Sequence, residues 1–83
     1  MNNRKNKEKK VLFLGKKNDY LTQVCLKICT EKFKNTEIFL ASRFDKIPNF
    51  INNWKGDFLI SFLYPLLIQK KLLNNIKNIA INF

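Results

Sequence analysis

Residues 10–15 read KVLFLG, four consecutive apolar residues set between a lysine and a glycine. A strand with one wet face alternates apolar and polar residues. A run that is apolar throughout and stopped by glycine suits a strand covered on both faces, as in a parallel sheet. Working outward, Asn18 or Asp19 offers an N-cap. Leu21, Val24, Cys25, Ile28 and Cys29 then recur at i, i+3, i+4, i+7 and i+8, predicting an amphipathic helix of about four turns. Asn35 ends it, and residues 37–41 (EIFLA) predict a second strand. Between 42 and 56, Phe44, Ile47, Phe50, Ile51 and Trp54 share one face of a short helix, with Pro48 in its first turn, where the missing N–H costs nothing. Residues 58–63 (FLISFL) predict a third strand, apolar except for Ser61. Pro65 opens a helix running through Leu72 and Leu73, and residues 79–83 (IAINF) predict a fourth strand. The order β-α-β-α-β-α-β predicts an α/β fold, a Rossmann-like open parallel sheet of about four strands with right-handed crossovers and flanking helices.

Length and composition bound the function. With 83 residues there is one domain at most, expected over 10–83 behind a basic, flexible arm over 1–9. The formal net charge is +10, yet 46% of the residues are hydrophobic, which argues against disorder. The 14 lysines against 2 arginines, with 12 asparagines and 9 isoleucines, follow AT-rich codons. A phosphate-reading surface would draw more on the bidentate fork of arginine, so a nucleic-acid binder is disfavoured. Cys25 and Cys29 lie one helical turn apart and make no Cys-x-x-Cys motif. With no histidine in the chain there is no tetrahedral metal set, so they read as small buried hydrophobes in a reducing cytoplasm. The basic start is followed by too short an apolar run for a secretory signal. Residues 58–68 are about half the ~20 needed to span a bilayer, so no membrane role is expected.

In an open α/β sheet ligands sit beyond the carboxyl ends of the strands. Three segments meet there: Gly15 to Asn18, Phe62 to Pro65, and Asn82 with Phe83. Gly15 stands alone, so this is neither a dinucleotide fingerprint nor a P-loop. Lys16 and Lys17 read first as solvated loop lysines, with contact to an anionic group as the alternative. Around Pro65, aromatic and aliphatic side chains make either a hydrophobic wedge for a flat heterocycle or ordinary strand-to-helix packing. Asn82 is a polar amide ending an apolar strand, and alone it is either a terminator or a site residue.

Taken together, residues 57–83 (DFLISFLYPLLIQKKLLNNIKNIAINF) resemble the N-terminal domain of the folate-dependent formyltransferases, which include methionyl-tRNA formyltransferase and the sugar N-formyltransferases. The likeness lies in a strand opening with Asp57, a turn holding Tyr64 and Pro65, the element Lys70-Lys71-Leu72-Leu73, and Ile81-Asn82-Phe83, the first three positions of an Ile-Asn-x-His motif. The resemblance implies the sheet order 2-1-3-4. It implies 10-formyltetrahydrofolate as co-substrate and an amine as acceptor, with a nucleotide-linked amino sugar preferred over methionyl-tRNA. It also implies Asn82 as the catalytic amide, donating to the oxyanion that forms at the formyl carbon. Leu63, Tyr64, Pro65, Leu66, Leu67 and Ile68 are implied as the lining of the pterin pocket, largely through backbone groups. The chain departs from the pattern at Gln69, where relatives often carry proline, and at Pro65, where they often carry glycine. Only residues 42–56 stand where many members add a strand and a helix. The absence of any histidine implies little or no transfer activity for the chain alone. A last parallel strand with nothing after it leaves sheet surface uncovered, so a partial domain of a larger product is expected. The alternative is a small non-catalytic α/β binding or interaction module with a basic arm, in which Asn82 merely ends a strand.

Overall fold

The computed structural model describes residues 9–83, so the expected arm over 1–9 lies almost wholly outside the described residues. Four strands and three helices alternate. They are β1 (Lys10–Lys16), α1 (Tyr20–Lys32), β2 (Asn35–Ala41), α2 (Asn49–Asn52), β3 (Gly56–Phe62), α3 (Lys70–Asn74) and β4 (Ile76–Asn82). All strand pairs are parallel and the sheet order is β2-β1-β3-β4. This is the α/β Rossmann-like arrangement and the strand order expected from the sequence.

The run at β1 takes the central place its composition demands. Val11, Leu12, Phe13 and Leu14 are all fully buried, alternating between two apolar clusters on opposite faces of the sheet. On one face Val11 and Phe13 meet Cys25, Leu26, Cys29 and Phe33 from α1 and its carboxyl end. On the other, Leu12 and Leu14 meet Ile51 of α2, Trp54, Leu59 and Leu72 of α3, with Tyr64 and Ile68 packed against them. Each fully buried leucine or phenylalanine contributes roughly 1.5–3 kcal/mol to such a core.

Three local expectations are corrected. The packed side of α1 is Thr22, Cys25, Leu26 and Cys29, whereas Leu21 (58%), Val24 and Ile28 (62%) are exposed. The helix is rotated roughly a quarter turn from the expected stripe. The cause lies at its start. Asp19 accepts hydrogen bonds from the Thr22 backbone N–H (2.8 Å) and from Thr22 Oγ1 (2.9 Å), which fixes Thr22 inward. Gly15, without a Cβ, leaves room for the Thr22 methyl: an added Cβ would lie 2.5 Å from Thr22 Cγ2. Pro65 does not open a helix. Residues 63–69 form an irregular segment and only Lys70–Asn74 is helical. No Ser, Thr, Asp or Asn caps a helix there, and turning Tyr64 and Ile68 toward the core holds the chain in an open path. The helix expected between 42 and 56 shrinks to four residues, with Pro48 as its N-cap rather than in its first turn. Ile51 and Trp54 are buried, but Phe44 (90%) and Phe50 are exposed.

Strand limits also moved. β2, β3 and β4 begin two or three residues earlier than their apolar stretches do. Backbone pairing carries Asn35 into the ladder opposite Lys10 of β1 and Gly56 opposite Ile76 of β4 whatever their side chains, with an irregularity in β3–β4 between Gly56 and Phe58. Among the described residues no helix is long and apolar enough to cross a membrane.

Candidate functional site

The carboxyl ends of β1, β3 and β4 are brought level by the register. Leu14 lies opposite Ser61, and Ser61 lies opposite Asn82. The ladder continues past β4: the Phe83 N–H donates to the Ser61 carbonyl (2.8 Å), and the Leu63 N–H donates to the Phe83 carbonyl (3.4 Å). Alternation places Ser61, Leu59, Ala80 and Asn82 on one face, the face closed on its far side by α3.

There a concavity of about 370 Å³ opens between the ends of β3 and β4, the segment that follows β3, and α3. Its floor is Leu59, Ser61, Ala80 and Asn82, and its wall is Tyr64, Leu66, Leu67 and Ile68 with Leu73. Asn82 and four of the six expected pocket residues thus share one space. Leu63 and Pro65 do not: Leu63 is turned to solvent, and Pro65 faces the opposite side of the loop. None of the lining side chains carries a charge.

Three features of residues 61–64 run against simple packing. Ser61 is 1% exposed and its Oγ has no hydrogen-bond partner among the described residues. The same holds for the Tyr64 hydroxyl, whose burial pushes the phenol above its ordinary value and keeps it a donor. Leu63 sits at φ 53°, a left-handed conformation that costs a branched L-residue roughly 1–2 kcal/mol. Such costs cluster where a backbone is held for a purpose other than stability. Ser61 was not among the sequence-predicted site residues. The signal was present: one hydroxyl in an apolar strand, one residue before the strand's end.

A second concavity, of about 340 Å³, lies on the other side of the loop, lined by Lys16, Lys17, Ser42, Arg43 and Pro65. It joins the ends of β1 and β2 and is cationic. Lys17 Nζ is paired with Asp45 Oδ2 at 2.8 Å, and the same carboxylate accepts from the Ser42 N–H at 2.9 Å. The Lys17 hydrogen bond, then the Ser42 N–H, hold the Asp45 carboxyl below its ordinary value. Arg43 lies over the ring of Phe44, 5.7 Å from its centroid.

Cys25 and Cys29 are free thiols on α1, distant from both concavities in the fold. Burial pushes both upward, so they are poor nucleophiles at neutral pH. Among the described residues no group of three or more His, Cys, Asp or Glu side chains could hold a metal ion.

No protein-family model, curated protein or solved structure matches this chain. The likeness to formyltransferases therefore stands on the residues quoted for it.

Proposed function

We propose that this chain is the donor-binding N-terminal part of a folate-dependent formyltransferase. The observation that carries the reading is the meeting of Asn82 with the Tyr64–Ile68 wall in one uncharged concavity at the carboxyl edge of a parallel sheet. That is where ligands sit in this architecture. The pterin of 10-formyltetrahydrofolate enters between the aliphatic wall and the strand floor, and its formyl group lies toward Asn82. An acceptor amine forms an N–C bond to the formyl carbon, the C–N10 bond breaks, and the amine proton passes to N10. The carbonyl oxygen is an oxyanion between these steps, and the Asn82 amide N–H donates to it. The cationic concavity beside Pro65 suits an acceptor that bears phosphate, in keeping with a nucleotide-linked amino sugar; methionyl-tRNA is the other anionic acceptor of the family.

The chain contains no histidine. With no imidazole to relay the proton, it binds the donor but transfers slowly, by a factor of about 100–10,000 relative to a site with its acid/base group. The test is calorimetric titration of the chain with 5-formyltetrahydrofolate, a donor isomer that does not transfer, together with an assay of formyl transfer from 10-formyltetrahydrofolate. Saturable binding that weakens in Asn82→Ala is expected. Failure to bind the isomer at millimolar concentration ends the donor-site reading.

One observation favours the alternative, an interaction module. The face of β3 and β4 opposite the concavity carries Phe58 and Ile60, partly buried beside Phe33 at the end of α1, and then Ile79 and Ile81, which are exposed. That reading expects no folate binding and self-association measurable by sedimentation.

A further inference from the structure

β4 ends the sheet among the described residues, and from Lys77 to Phe83 every residue is exposed. Phe83 uses both of its backbone groups on β3: its N–H donates to the Ser61 carbonyl and its carbonyl accepts from the Leu63 N–H. Backbone groups along a strand alternate in direction, so Ile81 and Ile79 also bond β3, while the N–H and C=O of Ala80 and Asn82 point off the edge of the sheet. Such a row is a template for another strand. The opposite edge, β2, carries Glu37 within it, and a charge there disfavours strand addition. Residues 78–83 (NIAINF) carry no charge, in a chain whose net charge is +10. The stretch Asn78-Ile79-Ala80-Ile81-Asn82 is also a palindrome.

We propose that β4 pairs antiparallel with β4 of a second copy of this chain about a two-fold axis at Ala80, joining two four-stranded sheets edge to edge. A two-fold contact sets residues equally spaced from the axis opposite each other. Ala80 meets its own counterpart as a hydrogen-bonded pair, which takes up its outward N–H and C=O. Ile79 stands opposite Ile81 as a non-hydrogen-bonded pair, where side chains come closest, and Asn82 stands opposite Asn78. The palindrome thus sets isoleucine on isoleucine over one face and asparagine on asparagine over the other. The isoleucines extend the apolar groove of Phe33, Phe58 and Ile60 across the junction. Lys77 falls opposite Phe83, six residues along from its own counterpart. That separation is about 20 Å, beyond the ~8 Å screening length of physiological salt, so no like charges meet at the seam. A paired edge of this length belongs to the weak class of interface, below about 1,200 Å², and the dimer is concentration-dependent. The inference rests on the self-association of the interaction-module reading, adds a surface and a symmetry to it, and makes no demand on the concavity.

The experiment sediments the full chain, without folate, from about 5 µM to about 500 µM, in about 0.15 M and about 0.5 M sodium chloride. The mass should rise from one chain, 9.9 kDa, toward two and stop there, since a two-fold contact closes. Association should be at least as strong at the higher salt, which screens two +10 chains from each other. Amide hydrogen exchange of the same samples reads the register. The Ala80 and Asn82 N–H groups should exchange about threefold more slowly at the upper concentration, for a dissociation constant on the order of 100 µM, and should slow more than those of Ile79 and Ile81. Ala80→Pro removes the outward N–H at the axis and no bond to β3, which an edge strand tolerates. Ile79→Lys sets an ammonium against Ile81. Each should keep the parent's circular dichroism and hold the mass at 9.9 kDa throughout. A parent that stays at one chain at the upper concentration, a mass that climbs past two chains, or association that weakens with added salt overturns the inference. So does a dimer that persists in either folded variant or leaves Ala80 exchange unchanged, which places self-association on another surface and leaves the interaction-module reading standing. If Ala80→Pro fails to fold, Ile79→Lys and the parent's exchange pattern decide. Folate titration is a separate measurement, so none of these outcomes bears on the donor-site reading.

Discussion

Gly15→Ala is the substitution whose cost can be worked most directly from the geometry. The new Cβ would lie 2.5 Å from Thr22 Cγ2, 2.9 Å from Phe13 Cε1 and 3.0 Å from Leu40 Cδ2. All three neighbours are side-chain atoms, but Thr22 and Phe13 are fully buried and cannot swing to solvent. Overpacking by one methyl in such a place costs about 1–3 kcal/mol. A domain of this length has on the order of 4–12 kcal/mol of stability, and ~1 kcal/mol moves its melting temperature by about 4–8 °C. The nearest clash is with a single methyl, and Thr22→Ser removes that methyl while keeping the hydroxyl that Asp19 accepts from at 2.9 Å. Thr22→Ser alone costs about 1 kcal/mol for the buried methyl. In the double variant the methyl introduced at position 15 occupies the space Thr22 vacates, and only the softer contacts to Phe13 and Leu40 remain. The double variant should therefore melt no lower than Gly15→Ala, with a coupling of about 1–2 kcal/mol in the double-mutant cycle. Urea denaturation of the four proteins measures it. Additivity within about 0.5 kcal/mol, the behaviour of independent sites, would refute the claim that Gly15 exists to seat Thr22.

Two further outcomes follow from the same packing. Leu72→Ala, in the five-residue α3 and 1% exposed, should cost about 2–5 kcal/mol; a urea midpoint close to the parent's would mean that α3 is not seated on the sheet. Asp19, held below its ordinary 3.8 by the Thr22 backbone N–H and then the Thr22 hydroxyl, and Asp45, held down by Lys17 and then Ser42, bind fewer protons folded than unfolded near that pH. Their stabilisation is present above the ordinary value and is lost as pH falls through the lower folded values. The melting temperature should drop as pH falls from about 5 to about 2, and the Asp19→Asn, Asp45→Asn double variant should flatten that drop; an unchanged slope would refute the assignment.

The fold was legible in the sequence because its strongest signals are long and redundant. KVLFLG is apolar on both faces, and only a central strand of a covered sheet accommodates that, which is where β1 lies. What the sequence misled on is decided by single contacts. The apolar stripe Leu21, Val24 and Ile28 has correct helical spacing, and the helix forms, but a cap at Asp19 and a missing Cβ at Gly15 choose its rotation. Periodicity reports that a helix has an apolar side; it does not weigh that side against one threonine docked in a glycine's gap. Pro65 failed similarly. Proline is compatible with a first turn but does not create one, and the inward pull on Tyr64 and Ile68 prevailed.

The candidate site divides along the same line. Asn82 and the Tyr64–Ile68 segment were visible as a polar strand end and an aromatic turn, and the parallel register places them side by side. Ser61 was visible only as an interruption in an apolar strand. Its meaning depends on a cross-strand partner, and the pairing of Ser61 with Asn82 requires knowing that β3 and β4 are neighbours and how they are offset. The offset is itself set by the irregularity between Gly56 and Phe58, at the opposite end of the ladder. Gly56 lies at that end, where a Cβ would run into the indole of Trp54. A one-residue slip of β4 would turn Asn82 to the face of Ile79 and Ile81 and leave Ser61 facing an aliphatic side chain. The polar floor of the concavity thus depends on a register shift at the opposite, amino end of the β3–β4 ladder.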